Sequence, residues 1–414
     1  MPATEPATAE TAAPSASSTR SVSRRGLFGA LAGAAGGAAV TAAGFAIAGG
    51  AGRPGAEPVA ETTHGSERIP CHGAHQAGIT TAHTAHVSYL ALDLLPDADH
   101  DGILRMLRLL SGDVEALTAG TAPLADVEPE LAELPARLTV TVGFGRELVR
   151  RVDPAAVPAW LGPLPKFSRD RLEEAYSGGD LLLVIAADDP VTIAHAARFL
   201  VKDVRPFAKP RWRQDGFARA RGTESDGRTM RNLMGQVDGT VNPKPAASDF
   251  SGLVWLGADA GWLRNGSALV LRRIRMELDT WDRVDRIGRE FAMGRTLREG
   301  APLTGKKEHD EPDFAARDSL GFTVISKDAH IARAHSTDPG ERIYRRAVNY
   351  DDGLEQGLLF ACYQRDPLAQ FVPIQRRLDE ADLMNEWVTH IGSAVFAIPP
   401  GWRAGGRLGE TLVA

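Results

Sequence analysis

Residues 267–278 read SALVLRRIRMEL, an alternating strand-like stretch, and residues 280–293 follow it with helical periodicity. An earlier stretch has the same order: HVSYLALDLL at 86–95 is strand-like and 99–117 is helical. Around the first pair, RLTVTVGF at 137–144 and residues 180–187 read as strands and 190–204 as a helix. Around the second, residues 342–349 and 356–363 read as strands, 367–378 as a helix and 393–398 as a closing strand. Strands and helices mixed with hairpin-type pairing predict an α+β fold with antiparallel sheets, arranged as two tandem ferredoxin-like domains. Residues 205–234 lack either periodicity, are basic and contain glycine, and read as an interdomain loop.

The first 50 residues are of another kind. Ser-Arg-Arg-Gly-Leu-Phe at 23–28 leads into an uncharged Gly/Ala-rich stretch, which reads as a twin-arginine export signal built on Arg24 and Arg25. Residues 26–52 are long enough to cross a bilayer. Their large apolar residues are sparse, which favours a cleaved leader over an anchor. That route carries proteins already folded, often around a cofactor, and predicts work outside the cytoplasm. The expected organisation is a signal peptide at 1–50, a linker at 51–67, and domains at 68–230 and 231–414. The net charge of −6 disfavours nucleic acid as a partner. Cys71 and Cys362 are the only cysteines, too few for a disulfide framework, and a bond between them is allowed but not required. With no CxxC or CxxCH, covalently attached haem and thiolate clusters are excluded.

Gly235-Gln236-Val237-Asp238-Gly239-Thr240, taken alone, is a turn. Its company changes the reading. HQAGI stands at 75–79, Gly294-Arg295 precedes GAPL at 300–303, and DAHI stands at 328–331. RIYRR follows at 342–346, GLLFACYQ at 357–364 and FVPIQRRL at 371–378. From Pro70 to the C-terminus the chain resembles the dye-decolourising peroxidases, and within them an exported deferrochelatase-like subgroup.

That resemblance implies one haem b per chain, with His330 as the proximal iron ligand. It implies Asp238 as the distal acid-base residue and Arg345 as the distal arginine, with Arg346 the alternative if the register slips. Gly239, Thr240, Val241, Arg295 and the run His335, Ser336, Thr337 would line the haem, while Leu358 and Phe360 would cap its distal face. The substrates implied are hydrogen peroxide and a phenolic or dye-like organic reductant, with a ferryl intermediate between them. The twin-arginine translocase would be a partner during export, and a homo-oligomer is open. One axial imidazole leaves the opposite iron position free for peroxide. A carboxylate can then move the proton between the two oxygens, which implies an acidic pH optimum. Arg345 would stabilise the charge developing on the leaving oxygen, so its loss should hurt as much as that of Asp238.

His72, His75, His83 and His86 form two His-x-x-His pairs but lack a completing ligand set, and read as ordinary histidines rather than a metal site. Tyr344, Tyr350, Tyr363, Trp281 and Trp387 are the aromatic residues available to relay electrons to bulky substrates, or else core residues. The chain departs from the family pattern at Cys71, at His335-Ser336-Thr337, and at Ala347, where some other subgroups carry Asn. Three functions fit: a peroxidase, an enzyme removing iron from haem, and a non-catalytic haem carrier. The Asp238 and Arg345 pair weighs against the last.

Overall fold

The computed structural model describes residues 63–225 and 227–413; the expected export signal and its alternative as an anchor lie outside the described residues. The first half contains β1 (His86–Leu94), α1 (His100–Thr118), β2 (Thr139–Phe144), α2 (Arg146–Val152), β3 (Leu181–Ala187), α3 (Pro190–Val204) and β4 (Ala208–Phe217). The second begins with α4 (Phe250–Val254), β5 (Ser267–Met276), α5 (Leu278–Trp281), α6 (Arg286–Met293) and α7 (His330–Ala334). It continues through β6 (Tyr344–Arg345), β7 (Val348–Asp351), β8 (Gln356–Gln364), α8 (Phe371–Ala381) and β9 (Val388–Ile398).

The strands run β2-β3-β1-β4 in one half and β9-β5-β8-β7 in the other, the same ferredoxin-like order twice. All pairs are antiparallel. The halves join through single pairs, Phe144 with Ala397 and Phe217 with Asn349, so the sheet closes into a barrel. Closure gives every strand an inner and an outer face. Tyr89, Val184, Leu269, Leu271, Leu359, Tyr363 and Phe396 pack together inside. Leu90, Val140, Leu183 and Ile185 point the other way and are covered by the apolar stripes of α1 and α3. On the outer face of the second half, Ile274, Met276, Leu358 and Phe360 instead meet Met234, Trp281 and Met384 from surrounding loops and short helices.

Several expected elements are shifted. The segment read as a loop over 205–234 contains β4, paired along β1. Its inward residues are Trp212, Gln214 and Gly216, and its outward ones are mostly charged, so the alternation carries too little hydrophobic contrast to be read. The helix expected over 280–293 is two short helices, the second capped by Asp285, whose side chain accepts from Gly288 N. The strand expected over 342–349 is split into β6 and β7, both on one edge of β8.

One buried carboxyl makes the packing of α1 on α3 pH-sensitive. Burial, and then the charge of Asp203, push the Asp113 pKa up to about 7. An unfolded aspartate titrates near about 3.9, so the folded chain binds the extra proton between these values, and stability falls as pH rises through that window. Asp113→Asn should therefore gain stability relative to wild type as pH rises from about 4 to about 7. Urea midpoints of both proteins across that range check this; a constant difference would contradict it.

Candidate active site

His330 is the first residue of α7, and its Nδ1 donates to Asp382 Oδ2 at 2.6 Å. The other carboxylate oxygen of Asp382 accepts from Met384 N at 2.9 Å, fixing the turn that follows α8. Leu383 N donates to Asp328 O at 3.0 Å, which clamps that turn to the segment entering α7. Asp382 is buried, whereas the His330 side chain is 34% exposed. Desolvation opposes protonation of the ring, but the Asp382 charge and hydrogen bond outweigh it, so the His330 pKa is raised. With Nδ1 committed to the carboxylate, Nε2 is the nitrogen left to bind a metal.

Arg345 Nη1 stands 3.1 Å from Asp238 Oδ1. Both side chains are largely but not fully buried, at 22% and 17% exposure. Asp238 ends a tight hairpin in which Asn232 Oδ1 accepts from the backbone N of Met234 and Gln236, and Arg231 pairs with Val237. Gly239 follows with φ +133°, a conformation that favours glycine. Arg345 is held by its backbone: Asn242 accepts from its N–H at 2.7 Å and donates to its C=O at 2.9 Å. The two-residue period of the strand then separates the arginines. Tyr344 is inside the barrel and Arg345 outside, while the Arg346 guanidinium donates to Thr81 O. Arg345, not Arg346, therefore meets Asp238. Asp238 and Arg345 lie close enough to act electrostatically on His330.

Leu358 is buried and Phe360 half-buried on the same outer face, within the apolar cluster around Trp281. Thr240 and Thr229 both donate to Glu308 Oε1, at 3.0 and 2.5 Å, and Arg295 donates to Gly300 O and Glu308 O. Burial lowers the Arg295 pKa, with Glu308 acting in the opposite sense. Val241 is exposed. So are His335, whose ring lies 4.9 Å from Phe314, and Thr337, while half-buried Ser336 accepts from Asp338 N.

The four N-terminal histidines do not converge. His72 pairs with Glu115, His75 stacks on Trp255 and bonds Asn265 O, and the Arg346 charge, then burial, lower the His83 pKa to about 3. Cys71 and Cys362 are buried and unpaired. Sequence reasoning missed Asp382, Asn242, Asn232 and Glu308. Only the Asn242 position, just after the Asp238 turn, carried a local hint.

These residues fit a haem. An imidazole with its Nδ1 side anchored and Nε2 available, an apolar cluster and a carboxylate–guanidinium pair are the groups a haem site requires, and all belong to the second half. Comparison with known proteins agrees. The model of the Dyp-type peroxidase N-terminal region matches residues 76–218, and that of the C-terminal region matches 229–403. A dye-decolorizing peroxidase from Thermobifida fusca is 36% identical, over 87% of this chain and 89% of its own length. A deferrochelatase from Escherichia coli K12 is 33% identical, over 81% and 85%. The crystal structure of a DyP-type peroxidase from Cellulomonas bogoriensis is 50% identical with a TM-score of 0.82, covering 85% of this chain and 99% of that one. Ferric DtpA from Streptomyces lividans is 39% identical with a TM-score of 0.80, covering 84% and 98%.

Asp382→Asn removes the negative acceptor of His330 and should weaken haem retention by roughly 10–100-fold, the usual cost of losing a group that orients a metal-binding histidine. Transfer of haem to excess apomyoglobin measures this; an unchanged transfer rate would contradict it.

Proposed function

Because the chain belongs to the Dyp-type peroxidase family, whose members are haem enzymes acting on hydrogen peroxide and a reductant, we propose that its outer-face pocket reduces peroxide at a haem held by His330 Nε2. A bound haem would supply the iron centre and the electrons for splitting the O–O bond of peroxide. Asp238 takes the proton from the inner oxygen and delivers it to the outer one, which leaves as water. Arg345, 3.1 Å from that carboxylate, stabilises the negative charge developing on the departing oxygen. An organic reductant would supply the two further electrons that, with two protons, complete the reduction of peroxide to two waters. The observation that carries this reading is the Asp238–Arg345 pair in the same pocket as His330.

Bulky phenolic or dye-like reductants would be oxidised at the surface. Trp281 is fully buried in the cluster that walls the pocket and meets Trp387 edge-on, with centroids 5.1 Å apart. Trp387 is partly exposed, so the pair connects the pocket wall to solvent. Tyr344, Tyr350 and Tyr363 are buried inside the barrel and offer no such outlet. Arg24 and Arg25 support export by the twin-arginine translocase after folding, and hence work outside the cytoplasm. The name deferrochelatase borne by relatives such as that of Escherichia coli K12 makes iron release from haem the competing reading.

In stopped-flow mixing with hydrogen peroxide, the haem-loaded wild type should show a rapid Soret change. Asp238→Ala and Arg345→Leu should each slow it by about 10²–10⁴-fold. A wild-type rate in Asp238→Ala would overturn the assignment, and iron release retained in that variant would favour the competing one. Trp387→Phe should leave the peroxide step unchanged and lower steady-state oxidation of an anthraquinone dye. Equal dye turnover would exclude the tryptophan route.

A further inference from the structure

Away from the haem pocket, the loop between α1 and β2 brings two carboxylates against a histidine of α3. His195 is 4% exposed and the Asp126 side chain 2% exposed. His195 Nε2 and Asp126 Oδ2 lie 3.0 Å apart, yet neither atom makes a hydrogen bond. An imidazole nitrogen and a carboxylate oxygen buried this deeply have only each other's charge and no hydrogen bond, and a cation shared between them would satisfy both. Glu128 completes the group, with a donor atom from each of the three residues lying within 4.8 Å of the others.

The supporting contacts leave these donors available. Asp126 Oδ1 is already used, accepting from Glu128 N at 3.0 Å, so Oδ2 is the free oxygen. Arg198, three residues after His195 on α3, takes Glu128 Oε2, which leaves Oε1. Lys202, one turn further, donates to Ala125 O at 2.9 Å and fixes the loop against the helix. Two donors on a tetrahedral ion at about 2.0–2.2 Å stand roughly 3.3–3.6 Å apart; His195 Nε2 and Asp126 Oδ2 at 3.0 Å are near that, and Glu128 lies within 4.8 Å of both.

We infer that Asp126, Glu128 and His195 form a second metal site, distinct from the haem iron, for a first-row divalent cation such as zinc. One nitrogen and two oxygen donors suit zinc, and with three protein ligands water fills the remaining position. The ion pins the loop to α3, far in sequence from the residues of the peroxide reaction. Its function is therefore to hold the first half together.

The test uses haem-loaded protein treated with EDTA, desalted, equilibrated with excess zinc chloride and desalted again, with zinc and iron counted separately by elemental analysis. Wild type should retain stoichiometric zinc beyond its iron and unfold at a higher temperature with zinc than without. Asp126→Asn and His195→Gln should retain none. Glu128→Gln alters the most exposed of the three, so its fold should survive. Its zinc affinity should fall by at least the roughly 10–100-fold that loss of even a supporting group costs. Wild type retaining no zinc, or Glu128→Gln binding as tightly as wild type, would overturn the assignment, as would equal zinc in all three variants.

Discussion

The hydrogen bond from His330 Nδ1 to the buried carboxylate of Asp382 is the interaction on which the rest of the site depends. It leaves Nε2 as the free ring nitrogen, and it places a negative charge behind the imidazole, raising its basicity. Asp382 can serve because it is itself fixed. It caps the turn after α8, and that turn is tied by Leu383 to the segment leading into His330. α8 in turn buries Phe371 and Val372 in the main core. The proximal side is thus anchored by packing some fifty residues along the chain from the histidine it orients.

The closed sheet supplies the complementary constraint. Its interior is filled by aromatic and aliphatic side chains, so a cofactor must sit on an outer face. In the first half long helices cover that face. In the second, shorter helices and longer loops cover it, packing around Leu358, Phe360 and Ile274. Arg272 shares this outer face, almost fully buried, and pairs with Asp170 from the first half. A buried guanidinium is tolerable only with such a partner. Nearby His390 is held neutral: burial, then the charges of Arg272 and His330, push its pKa well below the ordinary range. It adds no competing charge beside His330.

Much of this was legible in the sequence because alternation is strong where one face is buried. The stretches at 86–95, 180–187, 267–278 and 356–363 became β1, β3, β5 and β8 with ends shifted by at most two residues. β4 was not legible: arginine, lysine and aspartate on its outer face alternate with Trp, Gln and Gly, so hydropathy hardly varies. Asp238, Arg345 and His330 were singled out through short motifs. Asp382, Asn242 and Glu308 were not, because each acts through a contact made only when distant segments meet. The choice between Arg345 and Arg346 illustrates the limit. Adjacent residues of one type are distinguished by the sheet face they occupy, and only strand pairing fixes that.

Resonance Raman spectroscopy of the ferrous, haem-loaded protein reads the iron–histidine stretch and so tests the proximal account most directly. The stretch should disappear in His330→Ala and move to lower frequency in Asp382→Asn, where the imidazole loses its anionic acceptor. A stretch that survives in His330→Ala, or one whose frequency is the same in Asp382→Asn and wild type, would contradict it.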